Sequence, residues 1–192
     1  KRIGADINPY LIDALIAIRD CVVDLPKNNS QFTEAEYKAL RKNDDYKYKG
    51  YAGFAFSYSG KWLGGWCRDG LNKRDYVNES YKNAINQSPL LQGVRFVNES
   101  YLDLQIPENS LIYCDPPYEG TTKYKDDFNH VVFWQWCRDM ASKGHIIFVS
   151  EYNAPDDFEC VWQKEIVSSL TQDTGSKKAV EKLFKFYPIN VQ

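Results

Sequence analysis

The chain has 192 residues and a mass of 22.3 kDa, the size of one domain with room for a small inserted lobe. Hydrophobic residues make up 43% and aromatics 15%, enough for a packed core, which excludes wholesale disorder. With 24 basic against 26 acidic side chains, net −2, a basic coat over the whole surface is excluded, although a local basic face is not.

No run approaches about eighteen consecutive apolar residues, so no membrane span is expected. The N-terminus carries no basic-then-apolar signal. The cysteines sit at 21, 67, 114, 137 and 160, with no CxxC pair and only His130 and His145 beside them. An odd number in that pattern speaks against a disulfide framework and against a metal site, and it suits a reducing cytoplasm. The chain opens at Lys1 with a strand already under way, and its sole methionine is Met140, so an upstream segment is expected.

In chain order, RIGADI at 2–7 reads as a short strand ending in an acid. Asn8 is a good helix cap and Pro9 suits the first helical position. Apolar residues at 11, 12, 15, 16, 18, 22 and 23 then predict a helix, closed by Pro26 and the Asn28-Asn29-Ser30 cluster. Thr33 with Glu36 is a capping-box signature for a second helix over about 34–43.

Residues 46–82 change character. They hold 10 aromatics in 37 residues and seven basic side chains against three acidic, with frequent glycine and no clean period. They read as an irregular lobe or a set of long loops. Regular structure resumes with strands at 94–98 and 111–115, a helix at 129–142 capped by Asn129, and a strongly apolar strand at 145–152 of the doubly covered kind. Residues 158–167 and 182–188 fit an antiparallel hairpin at a sheet edge. Strands alternating with helices predict an α/β, Rossmann-like sheet.

The sharpest feature is Asp115-Pro116-Pro117-Tyr118, directly after the strand LIYC. Chance occurrence in a chain this long is on the order of one in a thousand. In open α/β sheets ligands bind just beyond the carboxyl ends of strands. Two prolines there stiffen the backbone and remove two N–H donors. What remains is a set of acceptors, the Asp115 carboxylate and the Pro116 carbonyl, with Tyr118 adding a flat face. That combination suits a planar group with an exocyclic NH2, whose ring gains roughly 1–3 kcal/mol by stacking. The plainer alternative is a turn after a strand.

DPPY after a buried strand resembles the motif of amino-group DNA methyltransferases, and the block order resembles their Dam-like, adenine-N6-specific class. IGADIN at 3–8 looks like that family's ribose-binding strand, FVNESY at 96–101 like its adenine-pocket segment, and GSKKAVEKLFKFY at 175–187 like its C-terminal hairpin. The resemblance implies a Rossmann-like S-adenosylmethionine-dependent sheet with helices on both faces. It makes 1–32 and 94–192 the catalytic domain and 33–93 an inserted target-recognition region. By position, Asp115, Pro116, Pro117 and Tyr118 are the catalytic motif. Asp6, Ile7, Asn8, Glu99, Ser100, Tyr101 and Asp115 are implied at the cofactor. From their charge and place, Arg68, Lys73, Arg74, Lys177 and Lys178, with Tyr124, are the expected contacts to double-stranded DNA, solvated surface being the alternative reading; Thr121, Thr122, Lys123 and Tyr124 form a polar loop after DPPY, placed to close over the base.

The implied reaction is methylation of adenine N6 in DNA on a flipped base, in the cytoplasm of a bacterium or from a phage. Other planar NH2 groups (cytosine N4, RNA adenine) and a non-catalytic DNA-binding relative stay open as alternatives. Two departures from the family stand out. LGGWCRDG at 63–70 replaces an NGLCRYN-like stretch, and no glycine-rich FxGxG loop precedes the first strand. A first strand and glycine loop upstream of Lys1 are therefore expected.

Overall fold

The structure is a computed structural model and describes residues 1–71, 73–119, 128–168 and 177–188, with backbone alone for 166–168 and 177–179. It is a mixed α/β protein that divides into two compact units, Lys1–Leu104 and Gln105–Gln192. Residues 33–93, read as an insert, lie wholly in the first.

In the first unit, strand β1 (Arg2–Ala5) leads into helix α1 (Pro9–Asp20). The Asn8 side chain accepts from the Tyr10 amide at 3.0 Å and Pro9 fills the first helical position, as the sequence predicts. Helix α2 (Glu34–Ala39) begins with a reciprocal capping box. The Glu36 carboxylate accepts from the Thr33 amide at 2.6 Å, and the Thr33 hydroxyl accepts from the Glu36 amide.

The region expected to be irregular contains two helices, α3 (Lys49–Ala55) and the start of α4 (Tyr76–Leu91). Helix α4 is hard to see in the sequence because most of it is polar. Only Val77, Ala84 and Ser88 are buried, a thin stripe at helical spacing. Asp75 caps its start by accepting from the Asn78 amide at 2.9 Å. At its far end Arg2 donates to the carbonyls of Leu90 and Gln92 at 2.9 and 2.7 Å, supplying donors where a helix terminus lacks them.

The core of this unit is aromatic. Phe56 is fully buried, its ring centroid 5.2 Å from Phe32, 5.4 Å from Tyr51 and 6.1 Å from Trp66. Many aromatics of 46–82 are therefore core residues. Helix α3 crosses α1 so closely that a Cβ at Gly50 would sit 2.3 Å from the Tyr10 carbonyl oxygen, so only glycine fits. Strand β2 (Val94–Val97) returns parallel to β1, with Ala5 opposite Val97.

The second unit holds β3 (Leu111–Cys114), α5 (His130–Ser142), β4 (Ile146–Glu151), β5 (Phe158–Ser168) and β6 (Lys177–Phe186). Its sheet runs β3-β4-β6-β5, with β3 and β4 parallel and the other pairs antiparallel. The predicted edge hairpin is present. The hydrogen-bonded strands form two sheets among the described residues, where the alternation of elements predicts one. Asn129 caps α5 through the Val132 amide at 3.0 Å. Ile147 and Val149 are fully buried on one face of β4. Within this unit and among the described residues, Leu111, Tyr113 and Ile146 are exposed on the other face, so the expected double covering is not seen there.

Arg138 on α5 grips Asp157, just before β5, with two hydrogen bonds of 2.6 and 2.7 Å. The guanidinium holds the Asp157 carboxyl below the ordinary carboxylate range. A lowered acid contributes stability that is fully present above its unfolded value, near 3.9, and is lost as pH falls through the lowered folded one. Thermal unfolding followed across acid pH is therefore expected to lose part of its pH dependence in Asp157→Asn. Parallel curves for the two proteins would refute this.

Candidate functional site

The first unit places one set of predicted residues at the carboxyl ends of its parallel pair. Asp6 follows β1, and its amide continues the ladder to the Val97 carbonyl at 3.3 Å. Its carboxylate accepts from the Asn8 amide at 2.7 Å, turning the chain into α1. From the neighbouring strand, the Asn98 side chain donates to the Asp6 carbonyl at 2.9 Å, which ties the two strand ends together. Glu99 is exposed and Ser100 and Tyr101 are half-buried. The Ser100 hydroxyl accepts from the Leu102 amide at 3.2 Å. Ile7 is exposed between the acids and the helix start. The structure thus brings Asp6, Ile7 and Asn8 to the same strand-end edge as Glu99, Ser100 and Tyr101. Carboxylates there offer acceptors for hydroxyl groups, and the apolar side chain offers a surface for a ring.

The second unit presents the DPPY corner at the carboxyl end of β3, beside the end of parallel β4. Asp115 is exposed and Pro116 is buried. Partial loss of water raises the Asp115 pKa, and a hydrogen bond from Tyr118 opposes that shift. Tyr118 is half-buried. Its hydroxyl pairs with Ser150 Oγ at 2.6 Å, and its ring meets Tyr152 edge-on at 4.7 Å. Burial pushes the Tyr118 pKa up to about 12, so the phenol stays protonated at neutral pH.

Three residues that hold this corner were not singled out from the sequence as site residues: Ser150, Glu151 and His130, the last read as structural. His130 Nε2 lies 2.9 Å from the Pro117 carbonyl, and Glu151 accepts from the Glu119 amide at 3.0 Å. The available signal was the pair Ser150-Glu151 closing an otherwise apolar strand.

The basic residues of 46–82 are less free than the sequence reading assumes. Arg68 is paired with Glu34, and Arg74 grips Glu79 with bonds of 2.9 and 2.6 Å. Lys73 is exposed. Arg68 and Arg74 line a polar crevice of about 290 Å³ with Thr33, Trp66 and Asp69. Exposed ion pairs of this kind contribute little to stability. Tyr124, Thr121, Thr122 and Lys123 lie outside the described residues, as do the side chains of Lys177 and Lys178. No helix among the described residues is long and apolar enough to cross a membrane. Comparison of the sequence with protein-family models yields no match, and comparison with curated proteins yields none that is significant.

Proposed function

We propose that this chain is an S-adenosylmethionine-dependent methyltransferase of Rossmann-like fold that acts on the N6 amine of adenine in double-stranded DNA. The observation that carries the reading is the anchored DPPY corner. An exposed carboxylate and a proline carbonyl stand at the carboxyl end of a parallel strand, on a loop poor in donors, beside a tyrosine.

Asp6 and Glu99, with exposed Ile7 between the strand ends and α1, fit the hydroxyls and ring of a nucleoside. The cofactor, held by Asp6, Glu99 and their neighbours, would supply an electrophilic methyl group with a neutral thioether as leaving group, and the proton displaced from N6 would pass to water. The chain's own residues position that nitrogen. Asp115 and the Pro116 carbonyl accept its two hydrogens, which orients the lone pair and favours the positive charge that develops on N6. Tyr118 stacks on the base, offsetting the few kcal/mol needed to flip it out of the duplex. Arg68, Lys73 and Arg74 take phosphates.

The test is to incubate DNA with the full-length protein and methyl-labelled cofactor, then map methylated adenines by sequencing. N6-methyladenine at a fixed sequence is expected. Label on cytosine alone, or none at all, would overturn the reading. Binding to duplex DNA is also expected to weaken with salt. With three to five phosphates contacted, log affinity falls against log salt with a slope of roughly −3 to −4.5. A slope near zero argues against duplex DNA as substrate.

A further inference from the structure

The DPPY corner has few backbone donors of its own with which to hold its shape. Pro116 and Pro117 have no N–H, so two consecutive residues lack the donor by which loops are usually tied down. The anchors come from the end of β4 and the first residue of α5. The Pro117 carbonyl faces His130 Nε2 at 2.9 Å, and because a carbonyl only accepts, that nitrogen carries the hydrogen. The Tyr118 hydroxyl pairs with Ser150 Oγ at 2.6 Å. The Glu119 amide donates to Glu151 Oε2 at 3.0 Å. Three consecutive loop residues are thus each held by a side chain from β4 or α5.

Glu151 is the odd member. Strand alternation puts it on the same face as Ile147 and Val149, and its exposure is 2%. Burying a carboxylate is costly, and an apolar residue in such a place is often as stable or more so. Its hydrogen-bonded compensation is local: the Tyr152 amide at 2.7 Å and the Glu119 amide, with the His130 ring 4.0 Å from the oxygen that Glu119 holds. One of the two donors thus belongs to the loop, and the ring beside it belongs to the residue that holds the loop.

We propose that Glu151, acting with His130, is a positioning residue: it fixes the Pro117–Glu119 backbone and thereby the direction in which Asp115 and the Pro116 carbonyl face the substrate amine. Its kinetic consequence rests on the function proposed above. Misplacing a reacting group by about 1 Å can cost on the order of 100-fold in rate. Glu151→Gln keeps the shape and one acceptor but loses the charge, and Glu151→Ala loses both.

On the full chain, with S-adenosylmethionine and DNA, Glu151→Gln is expected to lower kcat about 10- to 100-fold, with both KM values within about twofold. His130→Ala is expected to lower kcat similarly, and the double variant to add little, because the two act as one unit. Unchanged kcat in a folded Glu151→Gln protein, or a loss confined to KM or to melting temperature, would overturn the proposal. A second readout needs no activity. Hydrogen exchange at the Glu119 amide is expected to quicken about tenfold or more in Glu151→Gln while the amides of β6 keep their protection. Unchanged exchange there overturns the role of Glu151 whatever the kinetics show. A wild-type protein that transfers no methyl group overturns the proposed function instead, and the Glu119 amide then decides this inference alone.

Discussion

Asp115→Ala is expected to lower methyl transfer by roughly 10²–10³-fold and to leave affinity for S-adenosylmethionine within about twofold. The expectation follows from where the side chain stands. Asp115 is exposed just past β3, so its loss opens no cavity and the fold is retained. What disappears is the acceptor proposed to face the amine, and alanine offers none. Six of the seven residues implied at the cofactor, Asp6, Ile7, Asn8, Glu99, Ser100 and Tyr101, follow β1 and β2 and are not altered by the substitution. Single-turnover transfer and calorimetric titration of the cofactor separate the two effects. Equal loss of transfer and binding would move Asp115 from the amine to the cofactor.

Phe56→Ala is expected to destabilise the protein by about 3–5 kcal/mol, the usual cost of removing a buried phenyl ring. Phe56 has no exposed surface, and three aromatic rings surround it at 5.2 to 6.1 Å. Such neighbours relax poorly into the space left behind, because they are large and Tyr51 is fixed on helix α3. Denaturant unfolding monitored by tryptophan fluorescence measures the loss, since Trp66 lies against the ring. A loss below about 1 kcal/mol would mean that the site collapses freely and that the aromatic cluster is not the centre of the core. The result also bears on residues 46–82. A loss of about 3–5 kcal/mol would show by energy as well as by burial that their aromatics hold the unit together.

Local signals were legible in the sequence. The caps Asn8, Thr33 and Asn129, the strands at 94–97, 111–114 and 146–151, and the edge hairpin stand where spacing and residue type predict them. Helix α4 did not show, because a polar helix with only Val77, Ala84 and Ser88 buried carries too little apolar period to register. The double covering expected for 145–152 did not appear either. Its apolar run is as compatible with one buried face and one exposed face as with two buried ones.

The DPPY corner shows where the two sources of information divide. Its stiffness and its supply of acceptors follow from two prolines and an aspartate in succession, and no tertiary structure is needed to read them. The means of holding it come from His130, Ser150 and Glu151, which stand 13, 32 and 32 residues from the groups they hold. Caps and prolines act over a few bonds, so composition and order determine them. A buried carboxylate finds its amide only after β3 and β4 have paired, and whether Glu151 faces loop or solvent is decided by strand register alone.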